Sequence, residues 1–169
     1  MATNMYLLLK TEKGKAVDGE AEDEKHAKWI EVLSWSHGFS QPASPIRSST
    51  GSTIERANHS DLSITKYLDS ATDDLLKACW SGDQFATASL ECFRADGNNE
   101  PIKYLTIDLE NVIISNFSIS GGGGDIPVEN FSLSYSKVTY SYNSKKKEDA
   151  AAEGVQKIWH DLKINKVDA

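Results

Sequence analysis

A single long alternating stretch limits what this chain can fold into. Residues 102–120, IKYLTIDLENVIISNFSIS, place Leu105, Ile107, Leu109, Ile113, Phe117 and Ile119 on odd positions. Period-two alternation marks a strand with one buried face. A run of about seventeen such residues would extend ~55 Å at ~3.3 Å each, far beyond an ordinary strand of ~5–6 residues. It must therefore coil, bend or serve two sheets.

Other strands surround it. MYLLLKTE reads as a first strand and WIEVLSWSHGFS as a second, in which Ile30, Val32, Trp35 and Phe39 do not keep one parity. That break predicts a bulge or a face switch. ANHSDLSITKYL alternates with some slippage through Leu62, Ile64 and Tyr67, and FATASLECFRA follows as a further strand. In ENFSLSYSKVTYSY the apolar parity passes from Phe131, Leu133 and Tyr135 to Val138, Tyr140 and Tyr142, which implies another bulge. VQKIWHDLKINK closes the chain. SATDDLLKACWSG is the one helix, about 71–81, with a Ser70/Asp73 capping pattern, Gly82 at its end and Leu75, Leu76 and Cys79 on one face. The expected fold is all-β in the main: a compact β-barrel of two sheets with one short flanking helix, in a single domain over residues 1–169. Apolar residues on both parities of the long strands predict more than one buried side, hence an oligomer.

A net charge of -7 over 169 residues argues against nucleic acid and anionic membranes, which need clustered Lys and Arg. The N-terminus lacks the ~7–15 apolar residues of a secretory leader, and no stretch nears the ~18 that span a bilayer, so folding is expected in the cytosol. Cys79 and Cys92 read as reduced thiols. The sequons at Asn58, Asn116 and Asn130 read as strand residues.

Catalytic patterns fit poorly. Ser34, Ser36 and His37 lie close in sequence, but strand alternation sends Ser36 and His37 to opposite faces, so they cannot form a nucleophile–base pair. No G-x-S-x-G elbow occurs. The glycines at 121–124 precede neither Lys-Ser/Thr nor a helix, so no phosphate loop is expected. His26, His37, His59 and His160 read as scattered, and the acidic run 18–24 as a solvated face, so no metal or other cofactor is expected. The 42–56 segment, rich in Pro, Ser and Gly, reads as a long exposed loop, and KKK at 145–147 as a basic tip. Two other readings stay open on the residues alone: a small hydrolase at Ser36 or with a metal, and a monomeric lectin-like β-binding module.

Several blocks in order, VDGEAEDEKHAKWIEVLSWSHGFSQP, HSDLSITKYLDSATDDLLKAC, IKYLTIDLENVIISNFSISGGGG and PVENFSLSYSKVTYSY, resemble the Hcp (hemolysin-coregulated protein) family, the tube protein of bacterial type VI secretion. The closing IWHDLKINK resembles the family's last strand, although His160 separates Trp159 from Asp161, and Thr139 and Ser141 stand where the family favours Trp and Thr. The resemblance implies a two-sheet barrel with a flanking helix and no enzyme activity. It implies homo-hexameric rings stacked into a hollow tube, driven with its spike by a contractile sheath. It implies export through that machine without a signal peptide, and small effector proteins carried in the lumen. Ser36 matches a lumen-lining serine by its place in the motif. The loop residues Pro42, Pro45, Arg47, Gly51, Glu55 and Arg56 are expected at a ring-stacking face. No room is left for a C-terminal toxin.

Overall fold

The computed structural model describes residues 4–42, 56–95, 101–144 and 155–169. The chain order is β1 (Met5–Thr11), β2 (Ile30–Glu31), β3 (Ser34–Ser36), β4 (Phe39–Ser40), β5 (Asn58–His59), β6 (Leu62–Tyr67), α1 (Thr72–Ser81), β7 (Gln84–Ala95), β8 (Pro101–Ser120), β9 (Val128–Ser134), β10 (Lys137–Asn143), β11 (Val155–Asp161) and β12 (Lys166–Asp168). The sequons do lie in strands, β5, β8 and β9.

The long alternating stretch is β8, and it serves two sheet regions. Its first half pairs with β7 and β10, and its second half with β9, all antiparallel. The ladder runs β12-β11-β10-β8-β7-β1-β2, with β9, β6 and β3 continuing from the far half of β8. Among the described residues it does not close strand to strand. The short segment after Ile30 nevertheless touches both ends: Val32 N–H donates to Met5 O at 3.0 Å and Leu33 N–H to Thr65 O at 2.8 Å. Consecutive residues thus bond β1 and then β6, which produces the parity break read in WIEVLSWSHGFS.

The expected odd parity of β8 holds at both ends and fails in the middle. Ile107 and Leu109 are buried, then Val112 and Ile114. Asn111, with φ +53°, turns the chain over, and Ser115 is an extra residue where the register with β9 shifts, which brings Phe117 back inward. Opposite Asn111, β9 gives way to β10 at Tyr135–Ser136. There Ser136 N–H donates to Glu110 O (3.0 Å) and Asn111 Nδ2 donates to Ser136 Oγ (2.7 Å). The mixed parities therefore report face switches. They do not show strands buried on both sides.

Leu7, Leu9, Ile30, Leu62, Ile64 and Leu90 are sealed from solvent in one core with Phe131 and Leu133. Helix α1 packs on β8 through a face that buries Leu75 and Ala78. Gly82, in the left-handed region, ends it, its N–H donating to Ala78 O. The expected Ser70/Asp73 cap does not form. Asp69 and Thr72 exchange bonds instead: Asp69 N–H donates to Thr72 Oγ1 (3.2 Å) and Thr72 N–H to Asp69 O (3.2 Å), while Ala71 N–H donates to Asp69 Oδ1 (3.0 Å). Nor does β6 slip: Leu62, Ile64 and Lys66 point inward and Tyr67 outward.

Candidate functional site

The outer surface of β3, β6, β9 and the far half of β8 is built by register. Residues directly opposite in antiparallel strands share a face. One lateral row is Ser36, Ser63, Ser132, Asn116, and the next is Ser34, Thr65, Asn130, Ser118. Every member is a hydroxyl or an amide, with no charge and no large apolar group. Between these rows, on the reverse of the sheet, lie Trp35, Ile64, Phe131 and Phe117, all apolar and facing the core. The polar side chains bond sideways. Thr65 Oγ1 donates to Asn130 Oδ1 at 2.6 Å, and Ser63 and Ser132 hydroxyls lie 3.4 Å apart. Ser34, Ser36, Asn116, Ser118 and Asn130 are exposed. Such a surface offers many weak donors and acceptors and no fixed charge.

Ser36 and His37 face opposite ways. Ser36 stands exposed on this polar face, while both ring nitrogens of His37 are engaged from the other side, by Tyr140 Oη at 2.5 Å and Tyr135 Oη at 2.7 Å. Burial and the neighbouring His59 push the His37 imidazole down to about 4, and burial drives the Tyr140 phenol up to about 12.

The histidines are not scattered in space. His26 is buried, held by Asp23 (2.6 Å) and Glu91 (2.7 Å) and stacked on Tyr6, so the acidic run is not wholly solvated. His37 and His59 converge on the Tyr135 hydroxyl, and His160 joins them through His59. Cys79 and Cys92 are free thiols, and burial pushes the Cys92 thiol up to about 11, away from the thiolate.

Of the expected stacking-loop residues, Pro42 and Arg56 are exposed on the loop side of the β4–β5 pairing, where the 42–56 segment begins and ends. Pro45, Arg47, Gly51 and Glu55 lie outside the described residues, as does KKK at 145–147.

Sequence reasoning picked Ser34 and Ser36 from the polar face and missed the six residues that complete it. The signal was present: Ser63/Thr65, Asn116/Ser118 and Asn130/Ser132 occupy alternate positions between apolar residues. Lys66 gave no such signal. It is fully buried, its ammonium 2.6 Å from Glu129 Oε2 and 2.7 Å from Asp69 Oδ1.

Residues 6–142 match the family model described as "Type VI secretion system effector, Hcp". The chain is 36% identical to Protein hcp1 of Pseudomonas aeruginosa over 166 residues, 98% of each chain. It superimposes on a solved type six secretion system protein with a TM-score of 0.85 and 30% identity, covering 99% of this chain and 100% of the other. Hcp1 from Salmonella typhimurium gives a TM-score of 0.77 at 29% identity, with the same coverage of both chains. A match across most of the sequence, joined to a shared two-sheet fold, places this chain in the Hcp family of the type VI secretion system.

Proposed function

We propose that this protein is a tube subunit: six copies close a ring, rings stack, and the Ser/Thr/Asn face lines a lumen that carries small effector proteins. The observation that carries the reading is that face, two rows of four uncharged polar side chains across four strands. A wall that must hold and then release varied folded cargo works best with many weak, neutral contacts, each about 0.5–1.5 kcal/mol, repeated by symmetry.

Two separate apolar patches support ring closure. Leu33, Tyr67, Leu68 and Ile126 border one hollow, and Phe39, Ile158 and Val167 another. A head-to-tail ring needs two different surfaces on each subunit, whereas a two-fold dimer needs one self-complementary patch. The 42–56 segment is too polar for the core of an obligate interface, which supports a place at the ring face, in stacking. On this reading the spike and sheath are the tube's partners, the protein has no catalytic role, and it leaves the cell through the machine.

Light scattering tests the ring. A hexamer has a mass of ~110 kDa, six times 18.6 kDa. A monomer at micromolar concentration would refute it and return the polar face to a monomeric binding module. Shortening 42–56 is expected to leave hexamers intact and abolish stacked tubes; loss of hexamers would move the segment into the ring interface.

A further inference from the structure

The 18–28 excursion between β1 and β2 lies outside the sheet ladder and closes on itself: Ala21 N–H donates to Trp29 O and Lys28 N–H to Ala21 O, each at 3.0 Å. His26 ties it to β7. The side chain is buried, with Nδ1 at 2.6 Å from Asp23 Oδ2 in the excursion and Nε2 at 2.7 Å from Glu91 Oε2 on β7.

Counting hydrogens fixes the charge of this group. A carboxylate only accepts, so each of the two contacts needs a hydrogen on the ring, and a ring that supplies both is an imidazolium. The other arrangement, a neutral ring beside a protonated acid, is disfavoured at both carboxyls. Lys103 Nζ stands 3.3 Å from Glu91 Oε1, which favours the charged carboxylate. The hydrogen bond from His26 holds the Asp23 carboxyl below its usual range. With Lys103 counted, two cations then face two anions, the condition under which a buried charge is tolerated.

The remaining neighbours suit a cation. Tyr6 of β1 lies nearly parallel to the His26 ring, with centroids 4.6 Å apart, and a phenol face attracts positive charge. Its hydroxyl keeps its proton, pushed up by burial and then by Asp23 and Glu31. Trp29 and Phe93 stand across the ring, each at 4.8 Å, and bring no charge. Glu24 and Lys25 border the same small hollow with opposite signs.

We infer that His26 is an imidazolium clasp: it carries both ring protons at neutral pH, binds the 18–28 excursion to β7 through two carboxylates, and releases it when alkaline pH removes one of them.

A bare ring nitrogen would set its lone pair against a carboxylate oxygen, so the contact that loses its hydrogen turns repulsive. The sign follows from linkage. The released ring titrates near 6.5, so the clasp is at full strength below that pH. Each unit above it makes opening about tenfold easier, until the docked ring gives up its own proton. The excursion also carries Glu20, which borders the hollow with Leu33, Tyr67 and Leu68, and it ends at Trp29, which borders the β1-β7-β8-β10 surface. Release therefore loosens a wall of each.

The clasp is independent of the tube reading, because it is tested on the protein alone. Nitrogen-15 NMR of the full-length protein is expected to show a hydrogen on both His26 ring nitrogens at pH 7.5. Hydrogen exchange, corrected for the intrinsic rate, is expected to show protection of the Ala21 and Lys28 amides falling about tenfold or more from pH 6.0 to 8.0. In His26→Gln, whose amide supplies one hydrogen at any pH, that protection should be lower at pH 6.0 and no longer follow pH. Should the variant fail to fold, the two wild-type measurements decide. A bare ring nitrogen at pH 7.5, wild-type protection that does not change with pH, or a pH dependence that survives in His26→Gln would overturn the clasp.

Discussion

At the residue scale, Lys66 costs the fold most if disturbed. Its strand neighbour Glu129 is as fully buried, and Glu129 Oε1 also accepts from Thr72 Oγ1 at 2.7 Å. Two ions deep in a protein are tolerated because each satisfies the other. Lys66→Met leaves a buried carboxylate unpaired and is expected to lose about 3–5 kcal/mol in denaturant unfolding. The double change Lys66→Met/Glu129→Leu removes both charges and should recover most of that loss; if it is as unstable as the single change, the pair is not what holds this corner. Gly19 is constrained differently. A Cβ there would stand 2.4 Å from Trp29 O, where the chain crosses itself and Gly19 N–H donates to Lys28 O at 2.7 Å. Gly19→Ala is expected to cost about 1–3 kcal/mol, as overpacking does, and a thermal midpoint equal to the parent's would refute the tight crossing.

At the element scale, the turnover of β8 at Asn111 decides which residues are core. Asn tolerates a left-handed backbone better than most residues, and here its amide also holds Ser136. Asn111→Ala loses both and should destabilise by about 1–2 kcal/mol, whereas Asn111→Gly keeps the backbone and should lose less. Equal losses would mean that the conformation itself is cheap. This position also shows how far the sequence could be read. A strand too long for one sheet announced its double duty, and parity changes in two other segments announced their breaks. What local pattern could not reveal was the compensation: Asn111 turns β8 over and Ser115 turns it back, so a run that looks uniformly odd is out of phase in its middle. The helix was legible from its apolar face and Gly82, but its cap was not. Asp69-to-Thr72 and Ser70-to-Asp73 have the same spacing, and the choice depends on Lys66 arriving beside Asp69 from β6.

At the scale of the whole molecule, the two outer sheet surfaces differ in kind. On the β1-β7-β8-β10 side, the row Lys10, Thr87, Glu110, Lys137 alternates charge. The β3-β6-β9-β8 side is the neutral hydroxyl and amide face. Two of the eight side chains of that face were legible as chemistry in SWS, but its extent was not, since it is assembled from four strands that only the pairing brings together. On the proposed tube, neutral contacts are barely screened by salt, while charged ones weaken sharply as the Debye length shrinks from ~8 Å at physiological strength to ~3 Å at 1 M. Capture of a co-expressed effector by purified rings should therefore change little between 0.15 and ~1 M salt, and a steep loss would shift recognition to the charged surface. Ser36→Gln sharpens the test. The side chain is exposed and opposite the core-facing Trp35, so ring mass should match the parent's. Six bulkier amides would then crowd the lumen, and the cellular level of an effector that relies on it should fall. Normal rings with unchanged effector level and delivery would remove Ser36 from the lumen, and rings that fail to form would assign it to a subunit interface instead.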